Sequence, residues 1–212
     1  MTKVGVLISG RGSNLVALLA ETRAGRIPAE IALVISNNRS APGLQKARSF
    51  GAPVVVIEAT PAMSREQHDE AVALALEAAG VTLVCLAGYM RILSARFVEN
   101  HLGRLLNIHP SLLPAFPGLH PQRQALEAGV TIAGCTVHYV TPKVDAGPII
   151  AQAAVPVLPG DDEVRLSERI LAQEHRLYPR ALDAVCRGHV RWEAGRVVRE
   201  GTLLAAPGSL LS

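Results

Sequence analysis

KVGVLISGRGSNLVALLAETRAG, residues Lys3 to Gly25, joins a run of apolar residues to a glycine-containing turn and then to a segment with helical spacing of its apolar residues. A run apolar at nearly every position, without polar alternation, reads as a strand covered on both faces, as in a parallel sheet. The unit recurs downstream as IALVI then PGLQKARSFG, PVVVI then SREQHDEAVALALEAAG, and TLVCLAG. Strands that alternate with helices give βαβ units, so the fold class is α/β with a doubly wound, mostly parallel central sheet. Gly25, Gly51 and Gly80 each stand where a helix needs a left-handed residue to end, and Ser64 opens S-R-E-Q, a capping box. The stripe Ala71, Leu74, Ala75, Ala78 reads as the core-facing side of that helix.

Beyond Leu105 the texture changes. RLLNIH leads into a proline-rich loop, and TIAGCTVHYV and PIIAQAAVPV flank the short TPKVDAG. A parallel return needs a crossover of about a dozen residues, so these strands are antiparallel and the sheet carries an antiparallel C-terminal part. DEVRLSERILAQEHRLYPRALDAVCRG reads as one long helix, and VRWEAGRVVRE as a hairpin turning at Gly195. The last residues, GTLLAAPGSLLS, have little periodicity. The expected organisation is a single domain over residues 1–188, Rossmann-like in its N-terminal half, with a hairpin and tail over residues 189–212.

Composition narrows the function classes. With 212 residues, 49% hydrophobic and 18% charged, the chain reads as globular and long enough for a sizeable core. A formal charge of +3 without a dense Lys/Arg run argues against a nucleic-acid partner. Cys85, Cys135 and Cys186 are odd in number and far apart, which disfavours a disulfide framework and a zinc knuckle. Cys135 and His138 point to opposite faces of one strand and there is no H-E-x-x-H, so no metal is expected. The first apolar run, Val4 to Ile8, is too short for a signal peptide and no run reaches membrane length, so the expectation is cytoplasmic with no membrane partner.

Three places carry residues suited to chemistry. SGRGSN ends the first strand and opens a helix whose free N–H groups would hold a phosphate; the same residues also make an ordinary helix start. Leu15 stands where a dinucleotide fingerprint needs its third glycine, and no Gly-Lys-Ser/Thr follows for a Walker loop. Asn107 and His109 close another strand two residues apart, hence on one face, outside the carboxyl ends where ligands of such sheets gather. An imidazole there can exchange a proton and an amide can meet an oxygen that turns negative, unless the pair merely caps a turn. Asp145, in a Gly- and Pro-bounded turn, would favour an imidazolium if it lay near His109.

Taken in order and spacing, SGRGSNL, LAGYMRIL, LLNIHPSLLPAFPGLHP, VHYVTPKVDAGPII and QEHRLYP resemble the phosphoribosylglycinamide formyltransferases, a branch of the folate-dependent formyltransferases. The resemblance spans about Lys3 to Arg187, and GRGSN is what narrows the superfamily to this branch. It implies the formyltransferase fold and transfer of a formyl group from 10-formyltetrahydrofolate, as co-substrate, to the amine of glycinamide ribonucleotide, with no metal. It implies His109 as the proton carrier, Asn107 as the group polarising the formyl oxygen, and Asp145 as the partner that favours the charged imidazole. On the ribonucleotide side it implies Gly12, Ser13 and Asn14 at the phosphate, with Leu171 nearby and Glu174 at the ribose or amine. On the folate side it implies Arg65, Met90, Arg91, Ile92, Leu93 and Asn107, with Thr141, Val144 and Asp145 closing over the pterin. The expected state is monomer or homodimer.

Two departures stand out. Gln122, after Pro121, replaces a second histidine of some relatives, and Ala146 replaces a glycine after the aspartate, which would stiffen that turn. Sister readings are formylation of initiator tRNA, which calls for a further basic C-terminal domain, and hydrolysis of formyltetrahydrofolate, which usually goes with an N-terminal regulatory domain. A phosphometabolite-binding module would leave Asn107, His109 and Asp145 without purpose.

Overall fold

The computed structural model describes residues 1–200, so the expectation for residues 201–212 lies outside the described residues. A seven-stranded sheet forms the centre. Its N-terminal part is β1 (Thr2–Ile8), β2 (Ala29–Ser36), β3 (Val54–Val56), β4 (Leu83–Leu86) and β5 (Leu105–His109), all parallel. β6 (Ile132–Tyr139) and β7 (Ile149–Pro156) follow, β6 running antiparallel to both β5 and β7. The order β3-β2-β1-β4-β5-β6-β7 reverses direction between β1 and β4, and a crevice opens outside the carboxyl ends of the strands at such a point.

Alternation along β1 explains the two layers of helix. Val4, Val6 and Ile8 belong to a core completed by α1 (Ser13–Arg23) and α6 (Glu163–Cys186). Leu7 belongs to the opposite core, with Val72 and Leu76 of α3 (Arg65–Ala78) and Phe97 and Val98 of α4 (Ala95–Asn100). α2 (Pro42–Ser49) and α5 (Pro121–Glu127) complete the helices among the described residues, none of which is long and apolar enough to cross a membrane.

The caps form as their residues dictate. Ser64 and Gln67 make the reciprocal capping box at the start of α3, and Gly25, Gly51 and Gly80 all take positive φ. The apolar stripe on α3 is a correction: Leu74 is 62% exposed, and the inward face is His68, Asp69, Val72 and Leu76. Two of those four positions are polar, so counting apolar residues alone rotates the helix to the wrong side.

β8 (Val190–Glu193) and β9 (Arg196–Arg199) form the separate hairpin, with Ala194 and Gly195 both at positive φ, as a two-residue type I′ turn needs. Trp192 meets Tyr139 edge to face at 5.4 Å and covers Gly103, where a Cβ would lie 2.8 Å from the indole. On α6 the buried Tyr178 aims its hydroxyl at two carbonyls of adjacent strands, 3.0 Å from Leu86 O and 3.2 Å from Leu106 O.

The segment between β6 and β7 passes close to its own strand. A Cβ on Gly147 would lie 1.7 Å from Tyr139 O, a backbone atom that cannot swing aside. Gly147→Ala is therefore expected to destabilise the fold by about 3 kcal/mol, read as a lowered urea midpoint. Ala146 is absent from the residues with positive φ and its side chain is exposed, so the replacement of glycine there meets no strain.

Candidate active site

The turn after β1 is shaped by two glycines. Gly12 has φ 66°, and a Cβ on it would lie 2.7 Å from the Cα of Gly43, whose N–H donates to Gly10 O at 3.1 Å. This close approach seats the start of α2 against the start of α1. Gly12 is the N-cap of α1 without any side-chain cap, so the N–H groups of the first helical turn face the crevice free of intrahelical partners. Asn14 is buried; its Nδ2 donates to Glu174 Oε2 at 2.7 Å, tying α1 to α6. Burial pushes the Glu174 carboxyl above its ordinary value, against the opposing pull of the Asn14 bond. Lys46 donates from Nζ to Arg11 O at 2.9 Å and puts a cation beside this turn.

A second group assembles at the end of β5. Asp145 sits at φ 49°, and its Oδ2 accepts the Gly118 N–H at 2.8 Å and lies 3.4 Å from His109 Nδ1. On the other ring edge, His109 Nε2 is 2.9 Å from Phe116 O. A carbonyl only accepts, so Nε2 carries a hydrogen, and both ring nitrogens face oxygen. Asn107, His109 and Asp145 thus lie together, as their positions at a strand end and in a facing turn suggest.

Sequence reasoning passes over a fourth member, His138. Antiparallel register sets it opposite Asn107, so the two side chains share a face. Its Nδ1–H donates to Tyr139 O at 2.9 Å, which leaves Nε2 as the acceptor for Asn107 Nδ2 at 3.3 Å. Nε2 also lies 3.7 Å from Asp145 Oδ1. Burial, the main cause, pushes the His138 imidazole below its ordinary value. A neutral His138 fixes which way the Asn107 amide points and leaves its second N–H for a ligand. Pairing of β5 with β6 is the signal that finds it.

A cleft of about 740 Å³ borders the first group and reaches the residues on either side of His109, while Asn107, His109, His138 and Asp145 themselves stand behind its wall and do not line it. Gly12, Ser13 and Asn14 line it from the β1 side, Leu171 and Glu174 from α6, and Met90 from the segment after β4. Ile108 and Pro110 bring its wall to the end of β5. Met90 and Ile92 are 73% and 61% exposed, apolar side chains held out toward solvent. Leu93 packs into the second core, and Arg65, Arg91, Ile92, Thr141 and Val144 do not line the cleft. Gln122 does, in the place of the absent histidine.

Protonation here couples to stability. His101, His138 and His175 are each held below the ordinary histidine value, chiefly by burial. The unfolded chain therefore takes up protons that the folded chain refuses as pH falls through about 6.5. Glu174 has the opposite sign, its contribution being lost as pH rises through its raised value. With three groups against one, the melting temperature is expected to be lower at about pH 5.5 than at about pH 7.5. A value that holds or rises on acidification contradicts this.

Comparison with known proteins bears on this arrangement. The family model described as formyl transferase matches residues 2–182. The phosphoribosylglycinamide formyltransferase of Escherichia coli (strain K12) is 42% identical over 203 residues, covering 96% of each chain. The trifunctional purine biosynthetic protein adenosine-3 of Drosophila pseudoobscura pseudoobscura is 55% identical over 191 residues, 89% of this chain and 14% of that protein. This chain therefore matches about one seventh of the trifunctional relative's length. Among solved structures, glycinamide ribonucleotide transformylase 1 from Symbiobacterium toebii superposes with a TM-score of 0.92 at 53% identity, covering 95% of each chain.

Proposed function

The chain belongs to the formyl transferase family, and on that footing we propose that it moves the formyl group of 10-formyltetrahydrofolate onto the amine of glycinamide ribonucleotide. The products are formylglycinamide ribonucleotide and tetrahydrofolate, within purine biosynthesis. The observation that supports this reading is proximity: the anion-suited helix start at Gly12–Asn14 lines a cleft whose wall at the end of β5 is Ile108 and Pro110, the neighbours of His109, and Asp145 lies 3.4 Å from that histidine. Residues 1–188 hold both sides, and a cytoplasmic setting suits both substrates.

The ribonucleotide enters with its phosphate on the free N–H groups of α1, with Lys46 adding positive charge close by. Glu174, anchored by Asn14, receives the ribose hydroxyls or the amine. Met90, Ile92 and Leu93 offer apolar contact to the flat pterin, and Arg91 lies between them. Of the folate-side residues Met90 lines the cleft, and Arg65, Thr141 and Val144 lie outside it with Arg91, Ile92 and Leu93.

The amine attacks the formyl carbon, whose oxygen becomes negative in the tetrahedral intermediate. The free N–H of Asn107 meets that oxygen, and His138 keeps the amide turned the right way. The carbon–nitrogen bond to the folate then breaks, so the folate nitrogen must gain a proton while the amine must lose one. His109 gives its Nε2–H, which rests on Phe116 O, to the folate nitrogen, and Nε2 then takes up the proton that the amine releases, because Nδ1 is turned to Asp145. Asp145 compensates the positive charge of the ring whenever both nitrogens are protonated.

The test follows loss of the formyl group from 10-formyltetrahydrofolate by absorbance, with and without glycinamide ribonucleotide. Turnover that requires the ribonucleotide is expected. Turnover indifferent to it makes the protein a formyltetrahydrofolate hydrolase, and no turnover in either condition removes the substrate assignment.

A further inference from the structure

Beneath the proposed pterin segment lies a buried polar pair that the reaction does not use. His68 and Asp69, on the inward face of α3, are 0% and 1% exposed. His68 Nε2 is 2.8 Å from Ile57 O, just past β3, and its Nδ1 is 3.6 Å from Asp69 Oδ1. The other carboxyl oxygen, Asp69 Oδ2, accepts the backbone N–H of Ser94 at 2.6 Å. Ser94 is in turn the N-cap of α4, its Oγ accepting from Phe97 N.

In a capping box the residue at the third helical position returns a side-chain bond to the N–H of the N-cap. On α4 that position is Phe97, whose ring has no acceptor, and Asp69 supplies the bond from another helix. Residues 90–93 end where Ser94 begins, so this bond fixes their C-terminal side. Their N-terminal side is fixed too: Met90 N–H donates to Ser9 Oγ at 2.7 Å, and Ser9 donates to Asn37 Oδ1 at 2.6 Å.

A short segment that displays Met90 and Ile92 to solvent is thereby clamped at both ends by buried or partly buried polar side chains. Exposed apolar residues gain nothing from such rigidity unless something binds them, because ordering them beforehand lowers the entropy lost on binding. Resting on the functional reading above, we infer that Asp69 is a positioning residue for formyl-folate: through its bond to the Ser94 N–H it holds the Met90–Leu93 segment in its binding form without touching the ligand.

The test compares wild type with Asp69→Ala, Asp69→Asn and Ser9→Ala, using steady-state constants for each substrate and calorimetric titration with an unreactive formyl-folate analogue. Loss of a buried bond to a carboxylate predicts analogue binding weakened about tenfold in Asp69→Ala, with the folate KM raised in parallel. In Asp69→Ala the KM for the ribonucleotide stays within about twofold, since neither Asp69 nor Ser94 lines the cleft. Asp69→Asn keeps an acceptor for the Ser94 N–H and restores most of the binding. A folded Asp69→Ala that binds the analogue as tightly as wild type overturns the inference, as does an equal rise in both KM values. Where Asp69→Ala does not fold, Ser9→Ala carries the same test by releasing the other end, and an unaltered folate KM there overturns it. A wild-type protein that ignores the analogue defeats the functional reading itself and this inference with it.

Discussion

His109→Ala is expected to lower kcat for ribonucleotide-dependent formyl transfer by about a hundredfold to ten-thousandfold, the range for removing a positioned proton carrier. The side chain is almost wholly enclosed, with Asp145 Oδ2 at Nδ1 and Phe116 O at Nε2. Truncation leaves no other titratable group between those oxygens. The cleft residues proposed to hold the substrates are separate from this ring, so KM for each substrate is expected to change by less than about tenfold. Single-turnover rates together with analogue titration separate the two effects. A variant that binds both substrates and keeps more than about a tenth of the wild-type rate removes His109 from the proton-carrying role.

Asn107→Asp is the second large effect, because it conserves volume and reverses polarity. The amide lends one N–H to His138 Nε2, and on the proposed reading keeps the other for the formyl oxygen. A carboxylate offers neither: it turns a lone pair toward the lone pair of His138, and negative charge toward the oxygen that becomes negative. His138 relieves the first conflict only by taking up a proton, which its burial opposes. Loss of one oxyanion donor costs about a hundred- to a thousandfold in kcat, and the added repulsion carries Asn107→Asp beyond Asn107→Ala. Assaying the two variants side by side decides the matter. An aspartate variant more active than the alanine variant means that Asn107 does not act as a donor.

The α/β architecture was legible because fully apolar runs mark buried parallel strands, and because the short TPKVDAG cannot make a crossover. Asn107, His109 and Asp145 were legible as polar residues at a strand end and in a turn facing it. His138 was hidden because its role depends on the register of β6 on β5, and a one-residue slip would turn it to the other side of the sheet. The Asn14–Glu174 bond joins residues 160 positions apart, beyond any local pattern. The inward face of α3 was misread for a related reason. His68 and Asp69 are buried because α4 and the chain after β3 give them partners, and those partners exist only in the folded chain.

Tyr178 gives the crevice a mechanical character. Glu174 and Tyr178 stand one turn apart on the same side of α6, a rise of about 6 Å. The first lines the cleft, and the hydroxyl of the second ends at the carbonyl of Leu106, the residue before Asn107. On the proposed reading, the ribose grip and the seat of the reacting amide are two fixed marks on one strut. The gap between the two substrates is then gauged by the pitch of a helix, and swapping loops around the rim leaves that gauge unchanged.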